Sequence, residues 1–173
     1  MSASQVDRFE RGASRDIRLE QLCRLAAAVG LVPSLRFYPD ADPVRDAGQV
    51  RLLARLRSRI SAALRFRTEV PILGRTDRRA WDAVADGAGC VDAFEVETRL
   101  ADVQATQRRV MLKLRDDSSV RHAFLVVADT RSNRAALGAT RELLRADFPL
   151  DTRAVFASFS SGHCPGAGGI IVL

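Results

Sequence analysis

The residues best suited to chemistry lie between Trp81 and Lys113. Glu95 and Glu97 stand two apart in the alternation Ala93-Phe94-Glu95-Val96-Glu97. Alternate side chains of a strand leave opposite faces, so both carboxylates share one face while Phe94 and Val96 pack on the other. Asp82 closes the preceding apolar run and belongs on the neighbouring strand. Carboxylates held together on rigid strands suit a hard divalent cation, which takes oxygen ligands. Gln104, Arg108 and Lys113 follow from one helix. Lys113 is the only lysine among 27 basic residues. Its ammonium is a compact, tunable charge, whereas the guanidinium groups that make up the rest stay charged and planar. The other reading is a lysine left by chance on a solvated helix face of an arginine-rich chain.

Three strands and the helix after them must position these groups. Residues 68–73 and 78–85 read as strands, Asp86-Gly87-Ala88-Gly89 as a hairpin turn, and residues 91–98 as a third strand. A helix is expected over residues 100–115, a buried strand over 123–128 and a helix over 132–146. Further strands are expected over 153–159 and 170–173. Ahead of them Pro43 opens a helix that runs to about residue 67, with Val50, Leu53, Leu56, Ile60 and Leu64 as its apolar stripe. The order predicts an α/β fold, a mixed sheet with helices on both sides.

Charge and composition narrow the function classes. Hydrophobic residues at 47% with 28% charged describe a globular chain, and 173 residues suffice for a small module plus one compact domain. The longest apolar runs are too short to cross a bilayer, and the first thirty residues do not read as a signal peptide. Three widely spaced cysteines, Cys23, Cys90 and Cys164, argue for a reducing compartment and against a disulfide frame or zinc site. The expected location is the cytoplasm. Residues 43–67 hold seven arginines against Asp46, so the whole net charge of +6 sits there, and a polyanion is the expected partner. Arg51, Arg55 and Arg59 stack at i, i+4, i+8, a spacing at which like charges repel unless an anion lies nearby. Phosphate would relieve that repulsion; a solvated basic face is the other reading. His122 reads as a strand-edge residue. The stretch Gly162-His163-Cys164-Pro165-Gly166 to Gly169 lacks the Gly-Lys-Ser/Thr of a phosphate loop, and no nucleotide cofactor is expected.

Residues 2–12 read as a short amphipathic helix ended by Gly12, and a second helix is expected over 19–29, with Leu22, Leu25, Ala26 and Val29 before Gly30. This pair resembles the recognition helix and the following helix of Xre/Cro-type helix-turn-helix regulators. The family's two preceding helices have no counterpart, and Met1 stands where the family usually has Val; the resemblance leads to the expectation that a GTG codon was read as a start and that the true start lies upstream. The resemblance implies that Ser4, Gln5 and Arg8 meet base edges or phosphates in the major groove, with Arg11 and Arg15 on the backbone. It also implies double-stranded DNA as the partner, and a homodimer on paired half-sites.

Asp82 on the second strand and Glu95 on the third, within α-β-β-β-α-β-α-β, resemble the PD-(D/E)XK nuclease superfamily. The resemblance implies a restriction-endonuclease-like fold over residues 43–173, after a helix-turn-helix remnant over 1–42. It implies magnesium held by Asp82 and Glu95, with Glu69 as an upstream helping acid. Glu97 occupies the place of the family's lysine, and Lys113 on the next helix becomes the substitute, with Gln104 as a helical glutamine. Nine residues separate those two, about 13–14 Å along a helix at 1.5 Å per residue. The leading expectation is a bacterial Xre-type transcriptional regulator whose nuclease-like body has kept its carboxylates without turnover. A magnesium-dependent DNA endonuclease and an antitoxin-like protein-interaction module are the alternatives.

Overall fold

The computed structural model describes residues 6–8, 11, 18–33, 43–72, 79–87 and 89–173. The chain divides into two compact units, Met1–Asp40 and Ala41–Leu173. In the first, residues 6–8 are helical and Arg11 pairs with Asp7 one turn back at 2.9 Å. Helix α1 spans Leu19–Ala28. Gln21 folds back to accept the Arg18 N–H at 3.1 Å, and Glu20 puts a negative charge in the first turn, where the helix dipole favours it. The helix stops because Gly30 adopts a left-handed φ of 75°. None of its residues is buried, and Leu19, Leu22 and Val29 are exposed. Residues 34–38, whose sequence Ser34-Leu35-Arg36-Phe37-Tyr38 reads as a short strand, lie outside the described residues.

The second unit begins with helix α2, Pro43–Ser58, followed by strands β1, Arg65–Pro71, β2, Ala80–Gly87, and β3, Cys90–Glu97. Helix α3, Val103–Asp116, leads to β4, His122–Val127. Helices α4, Arg131–Ala139, α5, Arg141–Arg145, and α6, Thr152–Phe159, precede the last strand, β5, Gly169–Val172. The strands lie in sequence order in one sheet, the first two neighbours antiparallel and the last two parallel. The architecture is therefore mixed α/β, as the alternation of elements implies. Among the described residues no helix is long and apolar enough to cross a membrane.

Period two sorts the strand residues into two cores. Ala83, Phe94, Val96, Phe124 and Ile171 pack with Leu52 and Leu56 of α2 and with Val155, Phe156 and Phe159 of α6. The rings of Phe94, Phe124 and Phe159 sit 5.2–5.5 Å apart. Val84, Ala93, Leu125 and Val127 pack on the other face with Val103 and Val110 of α3 and with Leu144 and Phe148. Both faces of β4 are covered, which explains its unbroken apolar run.

Several local expectations fail for physical reasons. Residues 153–159 form helix α6, not a strand: the Asp151 carboxylate caps the Ala154 N–H at 2.8 Å, and Val155, Phe156 and Phe159 share a helical face. Helix α2 ends at Ser58, short of residue 67, and its buried stripe runs through Leu52 and Leu56, leaving Val50 57% exposed. The helix expected over 132–146 breaks at Thr140, whose hydroxyl bonds back to the Ala136 carbonyl at 2.8 Å. Cys90 and Cys164 form a disulfide across 74 residues of chain, with Cα atoms 6.5 Å apart, against the expectation of none.

Candidate functional site

β1 and β2 change course together at one level, and there β3, which stays paired with β4 as far as Glu97, parts from β2. The β2–β3 ladder runs from Gly87–Cys90 to Ala83–Phe94 and ends there. Asp82 and Glu95 would be the next pair. Across from Asp82, Glu69 has a φ of 51° between the paired residues Thr68 and Val70. A non-glycine residue in this left-handed region costs about 1–2 kcal/mol. By period two Trp81 belongs on the side of Ala83, yet it packs in the opposite core, so β2 turns about Asp82.

Past the end of the ladder, side chains replace backbone partners on β3. The Val96 N–H donates to Asp82 Oδ2 at 2.7 Å, and the Val96 carbonyl accepts from Gln49 Nε2 at 3.1 Å. Gln49 comes from α2, which approaches closely because residue 48 is glycine; a Cβ there would stand 2.9 Å from Thr98 Cγ2. On the α3 face, Lys113 Nζ donates to both oxygens of Glu95, at 2.8 and 2.7 Å, and to the Ala80 carbonyl at 2.8 Å. Arg109, one turn earlier, reaches Glu95 at 3.4 Å and pairs with Glu97. Trp81 braces the base: the ammonium lies 5.4 Å from its ring centroid, and its Nε1 donates to Asp117 at 3.0 Å.

The cluster grades from interior to solvent. The side chains of Glu95 and Lys113 are 7% and 8% exposed, those of Glu97 and Arg109 24% and 46%. Burial, and after it the Glu95 charge, push Asp82 up to about 7; the Val96 N–H and Lys113 pull it down, and Glu69 adds a lesser push upward. Burial also raises Glu97, with Arg109 opposing. Asp82 thus shares its place with a proton near neutral pH, and a bound cation would take that proton's role. The donors here are carboxylate and carbonyl oxygens, the set that Mg2+ accepts, and the partly buried Asp82 gains most from an added positive charge. Among the described residues no three of these carboxylates bring ligand atoms within 4.8 Å of one another, and Lys113 holds both oxygens of Glu95, so an ion here would have to displace the ammonium from at least one of them.

Glu69, Asp82, Glu95, Glu97 and Lys113 come together. Gln104 does not: it is exposed, and nine residues place it roughly half a turn around α3 from Lys113. Arg108 is also exposed, and Arg109 is the arginine that reaches the carboxylates. Gln49 escaped the sequence reading; a glycine inside a predicted helix was its only signal. Arg51 and Arg55 are exposed on α2, but Arg59 lies beyond the helix end with its guanidinium 4.0 Å over the Phe156 ring, so the stripe of three is a pair. In the first unit Arg8 is exposed and Arg11 is held by Asp7, while Ser4, Gln5 and Arg15 lie outside the described residues. Comparison of the chain with protein-family models, with curated proteins and with solved structures finds no match in any of the three.

Proposed function

We propose that the second unit is a magnesium-dependent phosphodiester hydrolase of PD-(D/E)XK type acting on double-stranded DNA, delivered by an Xre-type DNA-binding module in the first unit. One observation carries the reading. Asp82 and Glu95 leave adjacent strands where their ladder ends, and the chain's single lysine sits on Glu95 from the following helix. Asp82, Glu95 and the Val96 carbonyl would hold Mg2+, with Glu69 as the outer acid. Bound there, the ion supplies Lewis acidity toward a phosphodiester and lowers the pKa of a coordinated water. Lys113 supplies an ammonium for the charge that develops on the phosphate, its Nζ also donating to the Ala80 carbonyl. Arg109 holds Glu97 aside, and Gln49 fixes the Val96 carbonyl. Arg51 and Arg55 offer charge to the DNA backbone. The reading includes a cytoplasmic location and a homodimer on paired half-sites.

A second reading rests on the way Lys113 occupies both oxygens of Glu95. If that pair stays closed, the body binds DNA without cutting it, and the protein is a regulator. Nicking of supercoiled plasmid in Mg2+ or Mn2+ separates the two. The hydrolase reading expects nicking by the wild type and its loss in Asp82→Ala. No nicking above the Asp82→Ala background, with salt-dependent duplex binding retained, sinks the hydrolase and leaves the regulator. No binding to duplex at all sinks both.

A further inference from the structure

At the other end of β3 a second group of side chains stands apart from the carboxylate site. Asp92 is 0% exposed; neither carboxylate oxygen meets full hydrogen-bond geometry, and the His122 backbone N–H beside it favours its charge against the burial. His122, its register partner on β4, faces it across an ion-pair contact, with a buried Nδ1 3.4 Å from Asp92 Oδ1 that makes no hydrogen bond. A carboxylate and an imidazole that meet only through this contact, with no hydrogen bond of full geometry at any of the three atoms, leave room for a ligand that satisfies both. Cys90, two residues before Asp92 and on the same strand face, and Cys164 lie with it: a ligand atom from each of Cys90, Asp92 and Cys164 is within 4.8 Å of the others, while His122 stands beside Asp92 outside that mutual distance and has to move in to serve as a fourth ligand.

Two sulfurs, one carboxylate and one imidazole are a tetrahedral zinc set. Nitrogen and oxygen ligands about 2.0–2.1 Å from a tetrahedral ion stand roughly 3.3–3.4 Å apart, which is the separation of His122 Nδ1 and Asp92 Oδ1. In the described state the two sulfurs are bonded to each other, so they are not available as ligands. We propose that reduction of the Cys90–Cys164 disulfide converts this end of the sheet into a zinc site with Cys90, Asp92, His122 and Cys164 as its four ligands. A dithiol reductant supplies two electrons and two protons. The S–S bond breaks, each sulfur gains a proton, and the dithiol leaves as its own disulfide. Zinc then displaces both thiol protons into solvent and is held by the resulting thiolates. A surface depression lined by Gly87, Gly89, Cys90, Ser119 and Arg121 gives the ion a way in. The soft sulfur ligands select zinc over magnesium, so this site and the carboxylate site differ in the metal they take. The inference does not depend on the hydrolase reading.

Co2+ titration of the full chain tests it, with the protein either oxidised or reduced by a phosphine so that no added thiol competes for metal. The reduced chain is expected to take one Co2+ with a thiolate-to-metal charge-transfer band, and to exchange it for Zn2+. The oxidised chain shows no such band. Asp92→Asn and His122→Ala each weaken binding by roughly tenfold to a hundredfold or more. Asp82→Ala leaves the band unchanged, which keeps the result separate from the carboxylate site. A reduced, folded chain without the band overturns the proposal. So does a band indifferent to both Asp92→Asn and His122→Ala, and so does a reduced chain that unfolds and is not refolded by Zn2+.

Discussion

Lys113→Met removes one charge from the base of the carboxylate site while keeping helix α3 and most of the side-chain volume. The ammonium it deletes donates to both oxygens of Glu95 and to the Ala80 carbonyl. Glu95 is only 5% exposed, so little water can replace the lost partner, and Arg109 at 3.4 Å offsets only part of the loss. Removing one member of a buried pair costs about 3–5 kcal/mol. The stranded Ala80 carbonyl adds about 1 kcal/mol. With the Arg109 contribution subtracted, urea unfolding near neutral pH should show a loss of about 3–4 kcal/mol. Adding Glu95→Gln removes the stranded charge and should return most of that loss, a coupling that a double-mutant cycle reads directly. Mg2+ should also stabilise Lys113→Met, by about 2.7 kcal/mol at a hundredfold excess over its Kd, because the cation takes the place of the ammonium. A loss below about 1 kcal/mol would mean that the pair behaves as a solvated one, and a variant indifferent to Mg2+ would mean that no cation replaces the ammonium.

Three further expectations use other parts of the molecule. Burial pushes Asp92 from its ordinary 3.8 up to about 7, so its proton stabilises the fold fully below 3.8, and that stabilisation is lost as pH rises to about 7. In oxidised, chelator-treated protein, Asp92→Asn should match the wild type near the lower value and exceed it above the higher one, by at most about 4 kcal/mol; a pH-independent difference in urea midpoint contradicts this. Glu69→Gly should stabilise by up to about 1 kcal/mol by relieving the φ of 51°, and Glu69→Val should destabilise; thermal melts that reverse this order contradict the strain. Arg51→Ala with Arg55→Ala should flatten the plot of log K against log salt for duplex binding by about 2; an unchanged slope removes α2 from the DNA contact.

Much of the site could be read from residue types and spacing. The alternation around Glu95 fixes which side chains share a face, and the structure keeps Phe94 and Val96 in one core while Glu95 and Glu97 meet α3 on the other side. The solitary lysine was a chemical signal because ammonium and guanidinium differ, and Lys113 is the group that reaches Glu95. What could not be read depends on tertiary approach. Arg109 rather than Arg108 faces the carboxylates because of helix phase, and Gln49 arrives through the contact of Gly48 with Thr98. Residues 153–159 misled because Val and Phe favour strands, while the deciding feature was a single cap at Asp151. The pairing of Cys90 with Cys164 joins residues 74 apart, which spacing alone does not specify.

The central claim is that Asp82 and Glu95 hold a divalent ion. Its most direct test is anomalous diffraction from crystals of the chain grown or soaked with Mn2+, an ion that takes the same oxygen ligands as Mg2+. One peak is expected within about 2.0–2.2 Å of carboxylate oxygens of both Asp82 and Glu95, with Lys113 withdrawn from at least one oxygen of Glu95. Density that leaves Lys113 on both oxygens, with no peak between the two acids at saturating Mn2+, contradicts it.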